Sequence, residues 1–198
     1  MLPNVLTIGR ILLTPLFILC LFYESPWSKL FALIIFIIAA ITDAFDGHIA
    51  RKKDLVSKTG EFLDPLADKI LVVSSFLSFA LLGKIPFWMV ILIIFRDLFV
   101  TGLRMVFINQ GISLVTSKVA KAKTGIQLIS IVIILIYLTF KNFPDFNNSI
   151  YIEFIDRFNL IWHCVLLTTI FTVYTGINYL YVNRYAIRLF IGNSKRNM

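Results

Sequence analysis

Long apolar stretches separated by brief polar or turn-forming breaks organise this chain. Six runs are legible, at about 5–23, 30–50, 64–82, 85–107, 125–140 and 160–182. Each approaches the roughly 20 helical residues needed to cross a hydrocarbon layer. Pro26, Pro86 and Pro144 fall at or beside the breaks, where a missing backbone donor harms a helix least. The links are short, and no repeat or low-complexity tract interrupts them. The pattern predicts an all-α integral membrane protein: one domain, residues 1–198, forming a six-transmembrane-helix bundle. Arg10 precedes apolar sequence with no small-residue cleavage site after it, so the first run reads as a retained helix.

Composition agrees with the pattern. Of 198 residues, 59% are hydrophobic and 15% charged, and the mean hydropathy is +0.87. Soluble domains carry about 25% charged residues, and a globule this small has too much surface to hide the difference. Intrinsic disorder is excluded by the same apolar excess. Cys20 and Cys164 sit in separate apolar runs, unlike a disulfide framework or a zinc site, and read as packing residues.

The net charge of +8 would suggest nucleic acid in a soluble protein. Here its distribution gives orientation instead. With a cytoplasmic N-terminus, one side carries Arg10, Arg51, Lys52, Lys53, Lys58, Arg104, Lys118, Lys121, Lys123 and the basic tail. The other side carries Lys29, Lys84, Lys141 and Arg157. The positive-inside rule then puts both termini in the cytoplasm, and no nucleic-acid partner is needed. Trp27, Trp88 and Trp162 suit an interfacial belt, and His163 reads as packed or bonded between helices.

Acids are scarce, yet four aspartates form a tight pattern. At roughly 100° per residue, Asp43, Asp46, Gly47 and Ala50 share one helix face, as do Asp64 and Asp68 four residues apart. The short link predicts that the second and third helices are antiparallel neighbours, with four carboxylates converging at the cytoplasmic edge. Each Asp at membrane depth costs about 2.5–3.5 kcal/mol, and mutual repulsion adds to that. Hard divalent cations relieve both penalties. Two metals sharing carboxylates, roughly 3.5–4 Å apart, are a common device for displacement at phosphorus. Gly47 and Ala50 clear helix surface for a bulky ligand, and Arg51 can meet a phosphate with both arms of its fork. Helix capping covers only Asp64, as an N-cap before Pro65 at the first helical position. It does not extend to Asp43 and Asp46, near a helix C-terminus where the dipole disfavours anions.

The string Asp43-x2-Asp46-Gly47-x2-Ala50-Arg51-x8-Gly60-x3-Asp64-x3-Asp68 resembles the signature of the CDP-alcohol phosphotransferases at every specified position. The resemblance implies transfer of a substituted phosphate from a CDP-linked donor to an alcohol, with release of CMP. It implies that Asp43, Asp46, Asp64 and Asp68 bind two divalent cations (Mg²⁺ or Mn²⁺) and that Asp68 is also the general base. Gly47, Ala50, Arg51 and Gly60 would form the CDP site. It further implies a homodimer in a bacterial cytoplasmic membrane, with the active site facing the cytoplasm.

Other segments bear on the acceptor. Pro3-Asn4-Val5-Leu6-Thr7, Phe62-Leu63-Asp64-Pro65-Leu66-Ala67-Asp68-Lys69, Arg96-Asp97 through Arg104, and Lys121-Ala122-Lys123-Thr124 resemble the bacterial branch of that family. That branch uses CDP-diacylglycerol and sn-glycerol 3-phosphate, giving phosphatidylglycerophosphate and CMP. Asp97 stands where that branch usually has Glu, and Ala120 where it has Gly. A dianionic acceptor needs further cations, and Arg104, Lys121 and Lys123 are the candidates for its phosphate, expected in the connection between the fourth and fifth helices. Inositol phosphate, serine or phosphatidylglycerol would be the acceptor in a sibling enzyme. A divalent-cation transporter is the competing class, but it would carry polar residues through the whole bilayer depth. Arg96 and Asp97 lie unusually deep in an apolar run, and as neighbours pointing about 100° apart they are expected to find partners elsewhere.

Overall fold

The computed structural model describes residues 2–53, 58–109 and 118–188, and the side chains of 9–42, 69–108 and 122–188. Among the described residues the helices run in the order α1 (Leu2–Phe22), α2 (Pro26–Lys53), α3 (Lys58–Leu81), α4 (Phe87–Asn109), α5 (Lys118–Asn142), α6 (Pro144–Asn147), α7 (Ile150–Arg157) and α8 (Leu160–Val182). No strand occurs among the described residues. The six long helices coincide with the six apolar runs. α8 matches its expected limits, whereas α2, α3 and α5 begin earlier than hydropathy alone suggests.

Two of these extensions change the reading of the site. α3 starts at Lys58, so Pro65 lies inside a helix and Asp64 is not its N-cap. Proline inside a helix is accommodated once more, at Pro15 in α1, as bundle helices commonly allow. α5 starts at Lys118, so Lys121 and Lys123 belong to helical turns rather than to a connection. The short α6 and α7, which no apolar run announced, fill the link between α5 and α8.

Local chemistry sets the turns. Pro26 opens α2 at a position where no donor is needed, and the Ser28 hydroxyl donates to the carbonyls of Tyr23 (2.7 Å) and Ser25 (2.9 Å). Gly83, at φ +67°, closes α3. Its N–H donates to Ala80 O and that of Lys84 to Phe79 O, both at 2.9 Å. This paired pattern ends helices around a left-handed residue, which glycine adopts without strain.

α1 packs against α2 and α3, α2 against α5, and α8 against α4 and α5. The expected pairing of α2 with α3 is not among the principal contacts of the described residues, because α1 packs against both. Phe17, Phe36, Phe76, Phe79, Met89, Ile93, Ile131 and Ile134 form the interior. The exterior is equally apolar: Leu19, Phe31, Leu81, Ile91, Phe95, Ile129 and Leu167 are all exposed. In α8 the buried stripe is polar, with Thr168, Thr169, Thr172 and Thr175 inward while Leu167, Ile170 and Ile177 face out. Such inversion makes little sense in water, where large apolar patches seek cover. It is the normal solution in lipid, where small hydroxylated residues join helices. Ala122–Asn142 and Leu160–Val182 are long and apolar enough to cross a bilayer.

Candidate active site

The backbone places Asp43, Asp46, Gly47, Ala50 and Arg51 in the last turns of α2, and Gly60, Asp64 and Asp68 in the first turns of α3. Only residues 54–57 separate these helices, a stretch that spans less than about 20 Å when fully extended. The acid-bearing ends therefore lie at one end of the bundle. The side chains of residues 43–68 and of Lys121 lie outside the described residues, so the expected carboxylate cluster and the CDP contacts concern atoms not described. Among the described residues there is no group of three or more metal-ligating side chains. The donor set is nonetheless chemically apt, since four carboxylates on two linked helix ends supply the oxygen ligands that hard divalent cations take.

What is described begins one residue later. Lys69, directly after Asp68, reaches across to α4, where its ammonium donates to the Asp97 carbonyl (2.7 Å) and to the Thr101 hydroxyl. Thr101 Oγ1 also donates to the Asp97 carbonyl at 2.8 Å. The turn of α3 that carries Asp68 is thus fastened to the middle of α4.

Asp97 is the hub of a buried polar centre formed by α4, α5 and α8. Its Oδ2 accepts from Lys123 Nζ and, at 3.4 Å, from Gln127 Nε2, and its Oδ1 accepts from Arg96 Nη1 at 3.2 Å. Gln127 also lies 3.5 Å from Thr172 Oγ1, and Ser130 Oγ lies 2.6 Å from Thr168 Oγ1. Side-chain exposure is 4% for Asp97, 7% for Lys123 and 11% for Arg96. Such burial demands partners, and Asp97 has them. Arg96 and Asp97 do pair with each other, contrary to the sequence expectation. The Arg96 side chain is long enough for its tip to reach Asp97, which the angular offset of adjacent positions does not prevent.

Arg96 is incompletely satisfied. Its Nε and Nη2 are buried without a hydrogen-bond partner, as is the Tyr179 hydroxyl on α8. Tyr179 lies within electrostatic reach of both Arg96 and Arg104. The stem of Arg96 crosses α8 at Gly176, where an added Cβ would come within 2.8 Å of Arg96 Cγ. Of the expected acceptor residues, Arg104 is an exposed residue of α4, whereas Lys123 is turned inward on Asp97. Sequence reasoning marked Arg96 and Asp97 as unusual charges. It did not identify Gln127, Thr172, Gly176 or Tyr179 as their surroundings, because threonine, glycine and tyrosine in an apolar run carry no distinguishing signal.

The opposite end of the bundle is built differently. Lys141 Nζ donates to Asp156 Oδ2 (2.7 Å) and to Tyr137 Oη (2.8 Å), and Tyr137 Oη donates to Asp156. Burial pushes the Asp156 carboxyl up, but hydrogen bonds from Lys141 and Tyr137, with the charges of Lys141 and Lys84, outweigh it and hold it below its ordinary value. A cavity of about 170 Å³ beside this cluster is lined by Gly83, Lys84, Asn159 and Trp162 among others. Trp27, Trp88 and Trp162, each at the start of a long helix, are exposed. His163 is also exposed, its Nδ1 3.0 Å from the Asn159 carbonyl of its own helix, and not bonded between helices as expected.

An all-helical, membrane-associated protein with a buried cationic centre fastened to an acid-bearing helix is the class that fold and site define. More particularly, the chain belongs to the CDP-alcohol phosphatidyltransferase family, whose model matches residues 1–180. It is 36% identical over 181 residues to a CDP-diacylglycerol–glycerol-3-phosphate 3-phosphatidyltransferase of Rickettsia bellii, covering 90% of this chain and 92% of the relative. It is 38% identical over 148 residues to the enzyme of that name from Bacillus subtilis, covering 69% and 77%. For the one from Cereibacter sphaeroides, identity is 40% over 136 residues, covering 67% and 62%.

Proposed function

We propose that this chain transfers the phosphatidyl group of CDP-diacylglycerol to the free hydroxyl of sn-glycerol 3-phosphate, forming phosphatidylglycerophosphate and releasing CMP. The observation that carries this reading is the fastening of the Asp68 turn, through Lys69, to a buried centre in which, among the described residues, two cations meet one carboxylate. At Asp97, the ammonium of Lys123 and the guanidinium of Arg96 share one carboxylate, while Lys69 is bonded to the main-chain carbonyl. Two buried cations, Arg96 and Lys123, on a single described carboxylate suit a dianionic acceptor better than serine. The names of relatives sharing up to 94% of their length with this chain support the same acceptor.

In this reading Asp43, Asp46, Asp64 and Asp68 hold two divalent cations, Mg²⁺ or Mn²⁺. When bound, such ions neutralise charge that develops on the phosphoryl oxygens. Asp68 takes the proton of the attacking hydroxyl, a task suited to a carboxylate within hydrogen-bond reach. Arg51 binds the donor's phosphates, while Gly47, Ala50 and Gly60 leave room for the cytidine nucleotide. Arg104, Lys121 and Lys123 receive the acceptor's phosphate. The oxygen of the acceptor forms the new P–O bond, the bond to CMP breaks, and CMP leaves with the electron pair.

All six long helices are read as spans, with both termini and the acid-bearing end in the cytoplasm of a bacterial cell. Grouping of basic residues at that end, exposed Trp at the other and the apolar exterior support this. The active enzyme is read as a homodimer. Purified protein in mixed micelles with CDP-diacylglycerol and labelled acceptors tests the reading. Label should enter lipid from sn-glycerol 3-phosphate, with CMP released, and chelation should abolish both. Preferential labelling from inositol phosphate, serine or phosphatidylglycerol would overturn the acceptor assignment, and undiminished turnover in excess chelator would overturn the metal dependence.

A further inference from the structure

Arg96 makes an uncommon set of contacts for a buried arginine. One terminal nitrogen, Nη1, is committed to Asp97 Oδ1 at 3.2 Å. The other edge, formed by Nε and Nη2, is buried and unpaired. That edge is the fork with which a guanidinium grips two oxygens of a phosphate or carboxylate. Helix-packing arginines end with their donors satisfied, since a desolvated, unmatched donor costs free energy without return. Here the surroundings hold the mismatch in place. Asp97 anchors the guanidinium from one side and is itself pinned by Lys123 and Gln127. On the other side, Gly176 is the gap in α8 that the Arg96 stem occupies, with the site of a Cβ 2.8 Å from Cγ and 3.3 Å from Nε. Cγ lies near the root of the side chain, so it cannot yield by a simple swing of the tip. The hydroxyl of Tyr179, one turn further along α8, is a second buried polar group without a partner.

We propose that Asp97 and Gly176 are positioning residues for substrate recognition: together they hold the Arg96 guanidinium so that its Nε–Nη2 edge is presented to a phosphate monoester, the one carried by the acceptor. The inference rests on the phosphatidyl-transfer reading for the identity of the acceptor, but the presentation of the fork stands on geometry alone. Asp97 does not touch the reacting atoms; it acts through Arg96 and Lys123. The donor's phosphates are the other source of the same chemistry, and the two sources separate kinetically. A fork that serves the acceptor changes the acceptor's KM alone, whereas one that serves the donor changes that of CDP-diacylglycerol.

The test compares wild type with Asp97→Asn, Asp97→Glu and Gly176→Ala, measuring KM for both substrates in mixed micelles and the rise in Tm produced by inorganic phosphate. Asp97→Asn and Gly176→Ala, on different helices, should each raise the acceptor KM by about tenfold or more while leaving the donor KM within about twofold. Asp97→Glu should recover most of the loss, because it restores a carboxylate. Phosphate should raise the Tm of wild type and not that of Asp97→Asn. Should Asp97→Asn fail to accumulate, Gly176→Ala carries the same prediction. Equal KM changes for both substrates, or lowered Tm with an unchanged acceptor KM, would overturn the proposal. If wild type is stabilised by phosphate yet transfers to no phosphorylated alcohol, the reaction assignment fails and the anion fork stands.

Discussion

Two polar clusters, one buried midway along α4 and one at the end of the bundle away from the acid-bearing turns, each hold a carboxylate between a lysine and a third polar group. They differ in what surrounds it. Asp97 is 4% exposed and Lys123 7%, whereas Asp156 and Lys141 are 42% and 32% exposed. The Asp156 cluster is balanced and wet, with hydroxyl, ammonium and carboxylate satisfying one another. The Asp97 cluster is dry and unbalanced, with two arginine nitrogens left over. In the first case water screens the charges and little depends on any one contact. In the second, each group is costly to bury and costlier to leave alone. A bundle retains such a mismatch where a ligand completes it.

That contrast can be broken at several points. The largest effect is expected at the reacting end: Asp68→Asn should lower turnover by about 10³-fold while CDP binding persists, the magnitude general-base catalysis supplies. A CMP-release assay alongside equilibrium CDP binding checks this, and near-native turnover would remove Asp68 as the base. Next comes Lys123→Ala, which takes from the buried Asp97 carboxylate the ammonium bonded to its Oδ2. Breaking a buried pair from one side costs about 3 kcal/mol or more, so thermal unfolding in detergent should show a clear fall in Tm together with a raised acceptor KM. Arg104→Ala, at an exposed position, should raise the acceptor KM by about tenfold with little change in Tm. A matching rise in the donor KM would count against its role.

The smallest effect belongs to the other end. Asp156→Asn should leave transfer unchanged and cost no more than about 1 kcal/mol, as exposed pairs do. Its pH dependence has a definite sign. The folded carboxyl titrates below the ordinary 3.8, so its contribution is present above that pH and fades as the pH falls further. The small Tm difference between wild type and Asp156→Asn should therefore be seen at neutral pH and vanish in strong acid. A difference that grew with acidification would contradict the pairing.

Much of this was legible from residue order. The six long helices follow from apolar runs of spanning length, and α8 agrees with the last run at both ends. α3 was misjudged at its start because Pro65 looked like a beginning, whereas its helix runs on through it. α6 and α7 were missed because four- and eight-residue helices are too short to show a period. The acid motif was visible as spacing, since carboxylates are rare enough in such a chain to stand out. The acceptor site is half visible: Arg96 and Asp97 are conspicuous as deep charges, but their mutual bond depends on the reach of a long side chain that helix periodicity does not describe. Gly176 gave no sign at all, because its importance lies in an arginine 80 positions away in sequence that only the packing of α4 on α8 brings near.

The most direct test of the account is a mass-balance measurement on the wild-type enzyme in CDP-diacylglycerol micelles supplied with Mg²⁺ and sn-glycerol 3-phosphate. The account predicts CMP and phosphatidylglycerophosphate in equal molar amounts, both dependent on the added acceptor. CMP released without that lipid product, or an equal yield when sn-glycerol 3-phosphate is replaced by an uncharged alcohol, would contradict it.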